Sequence, residues 1–191
     1  MRKSNMNTHT IRQFAACAVA AAAAVFVASA GAHPVVEHQA ATAGSSYKAS
    51  FKIGHGCAGS PTRQIAVDVP AGVRGAQPMP KAGWALEVLR EKLAQPYTSH
   101  GRTISEDVVR ITWTAKTKDD MLPSAHFDEF VLAAQLPDKA GPIYWQLHQA
   151  CEEGRMDWVE IPKPGQKMSD LKSPAVLVEV LPAGGNAEHH H

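Results

Sequence analysis

The stretch Tyr47-Lys48-Ala49-Ser50-Phe51-Lys52-Ile53 alternates apolar and polar residues without a break. A period of two with one apolar face is the pattern of a half-buried strand, because successive side chains leave a pleated backbone on opposite sides. Moving outward, the pattern recurs. Ile65, Val67 and Val69 alternate with Gln64, Ala66 and Asp68; Val109, Ile111 and Trp113 alternate with Arg110, Thr112 and Thr114; Val176, Val178 and Val180 repeat it near the end. Residues 127–136, 143–149 and 158–161 are further strand candidates. Clusters rich in Gly and Pro at 54–61, 70–83, 137–142 and 162–165 separate these runs. Short strands with such punctuation predict an all-β fold, an antiparallel β-sandwich. Only residues 84–94 carry a spacing that also fits a helix. No internal repeat is evident.

The first 32 residues read differently. Arg2, Lys3 and Arg12 form a basic start, residues 14–27 are apolar, and Ala28-Ser29-Ala30-Gly31-Ala32 is a run of small residues. That is the layout of a secretory signal peptide, with an apolar core too short for a comfortable permanent span. The expected organisation is a cleaved signal over 1–32, one domain over 33–182, and a flexible tail over 183–191 that ends in His189-His190-His191, either tag remnant or native. Without 1–32 the chain keeps 16 Lys and Arg against 18 Asp and Glu, near −2 where the whole sequence is +1. This balance is no footprint for nucleic acid, and no basic run suits a lipid surface. No second long apolar segment follows, so a soluble periplasmic or secreted protein without membrane insertion after processing is expected.

Cys17 would leave with the signal, and Cys57 and Cys151 remain. In an oxidising compartment an even pair predicts a disulfide; a thiolate metal ligand is the alternative. Closing a loop of this length stabilises a chain by roughly 4–5 kcal/mol on the chain-entropy estimate.

Cleavage after Ala32 would make His33 the first residue. Its free amine and imidazole Nδ1 then form a two-toothed chelate, a histidine half-brace, independent of the fold. Copper(II) prefers such nitrogen donors and leads the divalent affinity order. Metal must displace a proton from an amine that titrates near pH 8. Pro34 has no N–H, so the peptide nitrogen after His33 cannot join as a ligand. Cleavage after Ala30 would instead leave Gly31-Ala32-His33, an amino-terminal copper site of different geometry.

Seven segments together carry a family resemblance: AHPVVE (32–37), AGSSYKASFKIGHGCAGSPT (43–62), QPMPKAGW (77–84), TWTAK (112–116), FDEFVLAAQLP (127–137), QACEEGRMDWVEIP (149–162) and the final valine-rich strand. The chain resembles the YcnI-like family of exported copper-binding domains. The resemblance implies an immunoglobulin-like sandwich and copper(II) held by the terminal histidine, here His33, close to a tryptophan, here Trp158. It implies partners among the copper-transport or copper-chaperone proteins of the cell envelope. Trp84 matches a second family tryptophan, read as core. The departure is at the acidic ligand: where the type member has a glutamate before Gly-Trp, this chain has Gln77-Pro78-Met79-Pro80. Met79 is the nearest match. As a ligand its thioether would favour copper(I); otherwise it is an adaptable loop hydrophobe. Glu37 is the alternative carboxylate, but in an extended segment it stands roughly 13 Å from His33, so a turn would be required.

Three functions follow as expectations: a non-enzymatic copper carrier or buffer, a brace-type copper oxygenase, and a non-catalytic immunoglobulin-like binding module. The oxygenase needs a second histidine. His38, His55, His100, His126 and His148 are scattered and form no His-x-x-x-His pair. His126, beside Asp128 and Glu129, is expected at an exposed charged edge, and His55 in the loop beside the cysteines.

Overall fold

A computed structural model of the protein describes residues 33–184; the expected export segment, 1–32, and the tail from 185 onward lie outside the described residues. The fold is an immunoglobulin-like β-sandwich. One sheet has the order β1 (Val35–Val36), β3 (Ser46–Ile53), β8 (Asp128–Gln135), β5 (Arg74–Pro78). The other runs β2 (Ala40–Thr42), β11 (Val176–Leu181), β9 (Gly141–Cys151), β4 (Thr62–Asp68), β7 (Arg102–Ala115), β6 (Trp84–Ser99), with β10 (Arg155–Trp158) added to β9. All pairings are antiparallel except β2 with β11, which is parallel.

The opening stretch behaves as its pattern dictates. Tyr47, Ala49, Phe51 and Ile53 are buried, with Lys48 and Lys52 on the opposite face. Ser50 is an exception: it is buried too, and its hydroxyl has no hydrogen-bond partner. Between the sheets, Phe51 meets Trp145 edge-on with ring centroids 5.5 Å apart, and Phe130 receives Trp84 and Trp113 in the same way. Trp84 is therefore a core residue, as expected.

Residues 84–94 are strand, not helix. They open the long β6–β7 ribbon, which turns at His100-Gly101 with both residues at positive φ, the twist-matched two-residue hairpin geometry. The register shifts between Leu89 and Arg90 and again between Lys92 and Tyr97. At the first, β7 carries one extra residue, Val109; at the second, β6 takes five steps against two on β7, three extra residues. Leu86 and Leu89 are exposed and Leu93 is only partly buried, so no inner face imposes a period of two on this stretch. The first shift falls opposite Val109, so Val108 takes the buried place and Val109 is only half-buried, against the alternation expected there.

Two further expectations shift. The run 70–83 contains β5, whose pairing to β8 is irregular and whose one fully buried residue is Ala76, so it carried little periodic signal. The candidate strand 158–161 ends at Trp158 instead; beyond it the chain bonds to Ser173 and Pro174 through isolated contacts.

Cys57 and Cys151 form a disulfide, with Cα atoms 5.9 Å apart, and this replaces the thiolate-ligand alternative. The loop before it is tightly built. Cys57 and Ser60 exchange both backbone hydrogen bonds around Ala58-Gly59, again with two positive φ values. A Cβ on Gly56 would stand 1.8 Å from the Ser60 carbonyl oxygen, so only glycine fits there.

Candidate functional site

The chain enters the sandwich at its edge. Val35 and Val36 pair with Lys52 and Phe51, and the Glu37 N–H donates to the Ser50 carbonyl, holding the segment after His33 extended along β3. Pro34 and Val36 are buried, which fixes the backbone beside an exposed His33. β10 ends at Trp158, opposite Leu147 of β9. These two anchorings bring the His33 and Trp158 rings to 4.9 Å between centroids, at an interplanar angle of 79°. Trp158 is 4% exposed, and its indole N–H has no hydrogen-bond partner. His33 thus has a rigid aromatic wall on one side and solvent on the other.

A groove of about 390 Å³ opens beside it, lined by His33, Val35, Gln39, Met168, Pro174 and Glu179 among others. The loop between Trp158 and β11 supplies its far wall. That loop is clamped at its base: the Val159 and Glu160 N–H groups both donate to the Ser173 carbonyl at 3.0 Å, and the Ala175 N–H donates to the Glu160 carbonyl at 2.9 Å. The Glu160 carboxylate accepts from the Ser173 N–H at 2.6 Å.

The structure brings together His33 and Trp158 but not the other two candidates. Met79 lies just past β5, bonded through its N–H to the Val131 carbonyl of β8. β1 and β5 are opposite edges of their sheet, with β3 and β8 between them; three inter-strand steps amount to roughly 14 Å. The Met79 side chain is exposed, and its carbonyl accepts from the Trp113 indole N–H at 3.1 Å. Glu37 makes no turn back toward His33. It stands 4.0 Å from the His38 imidazole, and its charge, after burial, helps push the Tyr47 hydroxyl up to about 12. Besides His33, the polar side chains that line the groove are Gln39 and Glu179, and its sulfur is that of Met168. Sequence position gave no sign of these three, because the strand pairing and the loop clamp that gather them are tertiary contacts.

Among the described residues no group of three or more His, Cys, Asp or Glu side chains is disposed to hold a metal ion. A half-brace does not need one, since its two nitrogen donors come from a single residue. The remaining histidines are elsewhere: His100 in the hairpin turn, His126 exposed, and His55 in the disulfide loop, where its carbonyl accepts from Gln149 at 2.7 Å. His148 stands on the outer face of the larger sheet between Asp157 (2.8 Å) and Asp68 (3.2 Å). Arg110 grips Asp68 through two nitrogens and Arg155 bonds Asp157, and these contacts outweigh burial to hold both carboxyls below their usual range. This is a closed network of ion pairs. Asp128 pairs with Lys81 at 2.6 Å, a charged edge as expected.

A family model described as "Domain of unknown function (DUF1775)" matches residues 33–180, beginning at His33 itself. The chain belongs to the DUF1775 family. This is the family to which the YcnI-like resemblance points. Among solved structures, this DUF1775 domain is similar to an uncharacterized protein from Nocardia farcinica described as having an immunoglobulin-like fold. The TM-score is 0.59 at 20% identity, over 78% of this chain and 97% of that one, a likeness of fold. It also aligns with the seventh ScaB type I cohesin from Pseudobacteroides cellulosolvens over 83% of this chain and 97% of that one, but a TM-score of 0.34 at 11% identity carries no argument. No curated protein matches.

Proposed function

We propose that this DUF1775 protein is an exported copper carrier or buffer of the cell envelope, holding copper(II) through the amine and imidazole of a processed His33 beside Trp158. The observation that carries this reading is the edge contact between the His33 ring and the buried Trp158 ring. It joins the start of the described domain to the end of β10 at the two residues that the family resemblance singles out. The disulfide and the absence, among the described residues, of a helix long and apolar enough to cross a membrane accord with a periplasmic or secreted location.

The chemistry suits transfer rather than storage. His33 is solvent-exposed and supplies both nitrogens, so a partner can approach the ion from the open side. The partners that fit are copper-transport or copper-chaperone proteins of the envelope, which would take the ion by ligand exchange. Copper supplies only an affinity for nitrogen donors here; Trp158 walls off one face and limits the ring's rotation.

The test uses protein that begins at His33, with Met-extended, amine-acetylated and His33→Ala forms as controls. Calorimetric titration with copper(II) is expected to give one site that weakens at least a hundredfold in each control. Copper(II) should quench the tryptophan emission, and Trp158→Phe should remove most of that quenching. Unchanged affinity in His33→Ala and in the acetylated protein would overturn the assignment.

A further inference from the structure

The groove beside His33 contains one sulfur, and it is not the one the sequence singled out. Met168 begins the short 3-10 turn Met168–Asp170, in the middle of the loop that Glu160 and Ser173 clamp shut. The turn is fixed from within. The Lys167 N–H donates to the Asp170 carboxylate at 3.1 Å, and the Leu171 N–H donates to the Met168 carbonyl at 3.1 Å. The Met168 backbone is thereby held at the groove.

Core packing does not account for this side chain. Met156, on β10, is partly buried and packs against the hydrophobic core. Met168 is also partly buried, but it is not among the residues packed against that core, and its turn contains no buried residue. Its cover is the groove that it shares with His33. An apolar side chain placed away from the core, in a groove that a histidine also lines, is better explained by what its thioether can bind. A soft thioether prefers copper(I), whereas an amine–imidazole pair suits copper(II).

We propose that Met168 is a copper(I) ligand, so that the groove holds the reduced ion between the His33 imidazole and the Met168 sulfur. This rests on the copper reading of His33 and adds to it the oxidation state and the second residue. Each ion is bound as supplied, with no electron transfer within the protein.

Protein beginning at His33 is compared with its Met168→Leu and Met79→Leu forms, Leu keeping the apolar bulk of each side chain. Copper(I) affinity is read by competition with a chromogenic chelator under anaerobic conditions, and copper(II) affinity by calorimetry. Met168→Leu is expected to lower copper(I) affinity at least tenfold while copper(II) affinity stays within twofold; Met79→Leu should change neither. X-ray absorption of the copper(I) form should show a sulfur neighbour that disappears in Met168→Leu. Normal copper(II) binding with copper(I) affinity unmoved by Met168→Leu overturns this inference and leaves the His33 reading standing. Failure of the wild type to bind copper(II) overturns the His33 reading and this one with it.

Discussion

Replacing Cys57 and Cys151 together by alanine opens a loop whose ends are 94 residues apart. The chain-entropy relation for a loop of that size gives about 4.7 kcal/mol at 25 °C, of which the restricted unfolded chain is the source. Residual order in the unfolded state reduces this, so a loss of about 4 kcal/mol is expected. Both side chains are buried, and the Cys57 N–H donates to the Cys151 sulfur at 2.9 Å, so alanine adds a small local cost on top. For a domain of this size, each kcal/mol corresponds to about 2–4 °C in Tm, which puts the expected drop near 10–15 °C. Urea unfolding followed by far-UV circular dichroism reads the quantity directly. The midpoint should fall and the m-value should rise, because an unfolded chain without the cross-link expands and exposes more surface. A double-alanine protein that loses less than about 1 kcal/mol would refute the claim that this link supplies a large share of the domain's stability.

Asp107 should give the domain an acid-sensitive joint. It is 5% exposed and accepts from the Gly75 N–H, the Tyr97 hydroxyl and the Val108 N–H. Burial raises its pKa, but these bonds and the Arg90 charge outweigh burial and hold it below 3.8. A depressed carboxyl stabilises fully above its unfolded pKa and ceases to as pH falls through the folded value. Asp107→Asn should therefore flatten the fall in urea midpoint between pH 5 and pH 3, and an unchanged slope would count against the network. Asp107→Ala leaves those donors unsatisfied and should cost about 2–3 kcal/mol at neutral pH, read by the same denaturation. Gly56→Ala drives a Cβ into the Ser60 carbonyl, and backbone there cannot yield without breaking the Cys57–Ser60 turn. A loss of at least about 3 kcal/mol is expected, with unpaired thiols appearing on titration of the secreted protein; wild-type stability would show that the turn is looser than described.

Much of the sandwich was legible because burial on one face of a sheet writes itself into the sequence with a period of two. That holds for Ser46–Ile53, Thr62–Asp68 and Val176–Leu181, each of which packs one side on the core. It fails where a strand has no simple inner face. Trp84–Ser99 is an edge strand, exposed along most of its length, so burial imposes no period of two on its apolar residues. Pro96 sits within the second irregularity, where an edge strand tolerates a missing N–H.

Sequence alone marked the candidates: His33 behind a run of small residues, Trp158 through its family resemblance, and a pair of cysteines set to be oxidised. Their identities are local facts, readable in one dimension. Which residues stand beside His33 was decided only by the tertiary structure. β3 and β8 separate it from Met79, an extended backbone carries Glu37 away, and a clamped loop brings in Met168 from 135 positions downstream. Strand order and loop closure are set by long-range packing, and no spacing along the chain encodes them.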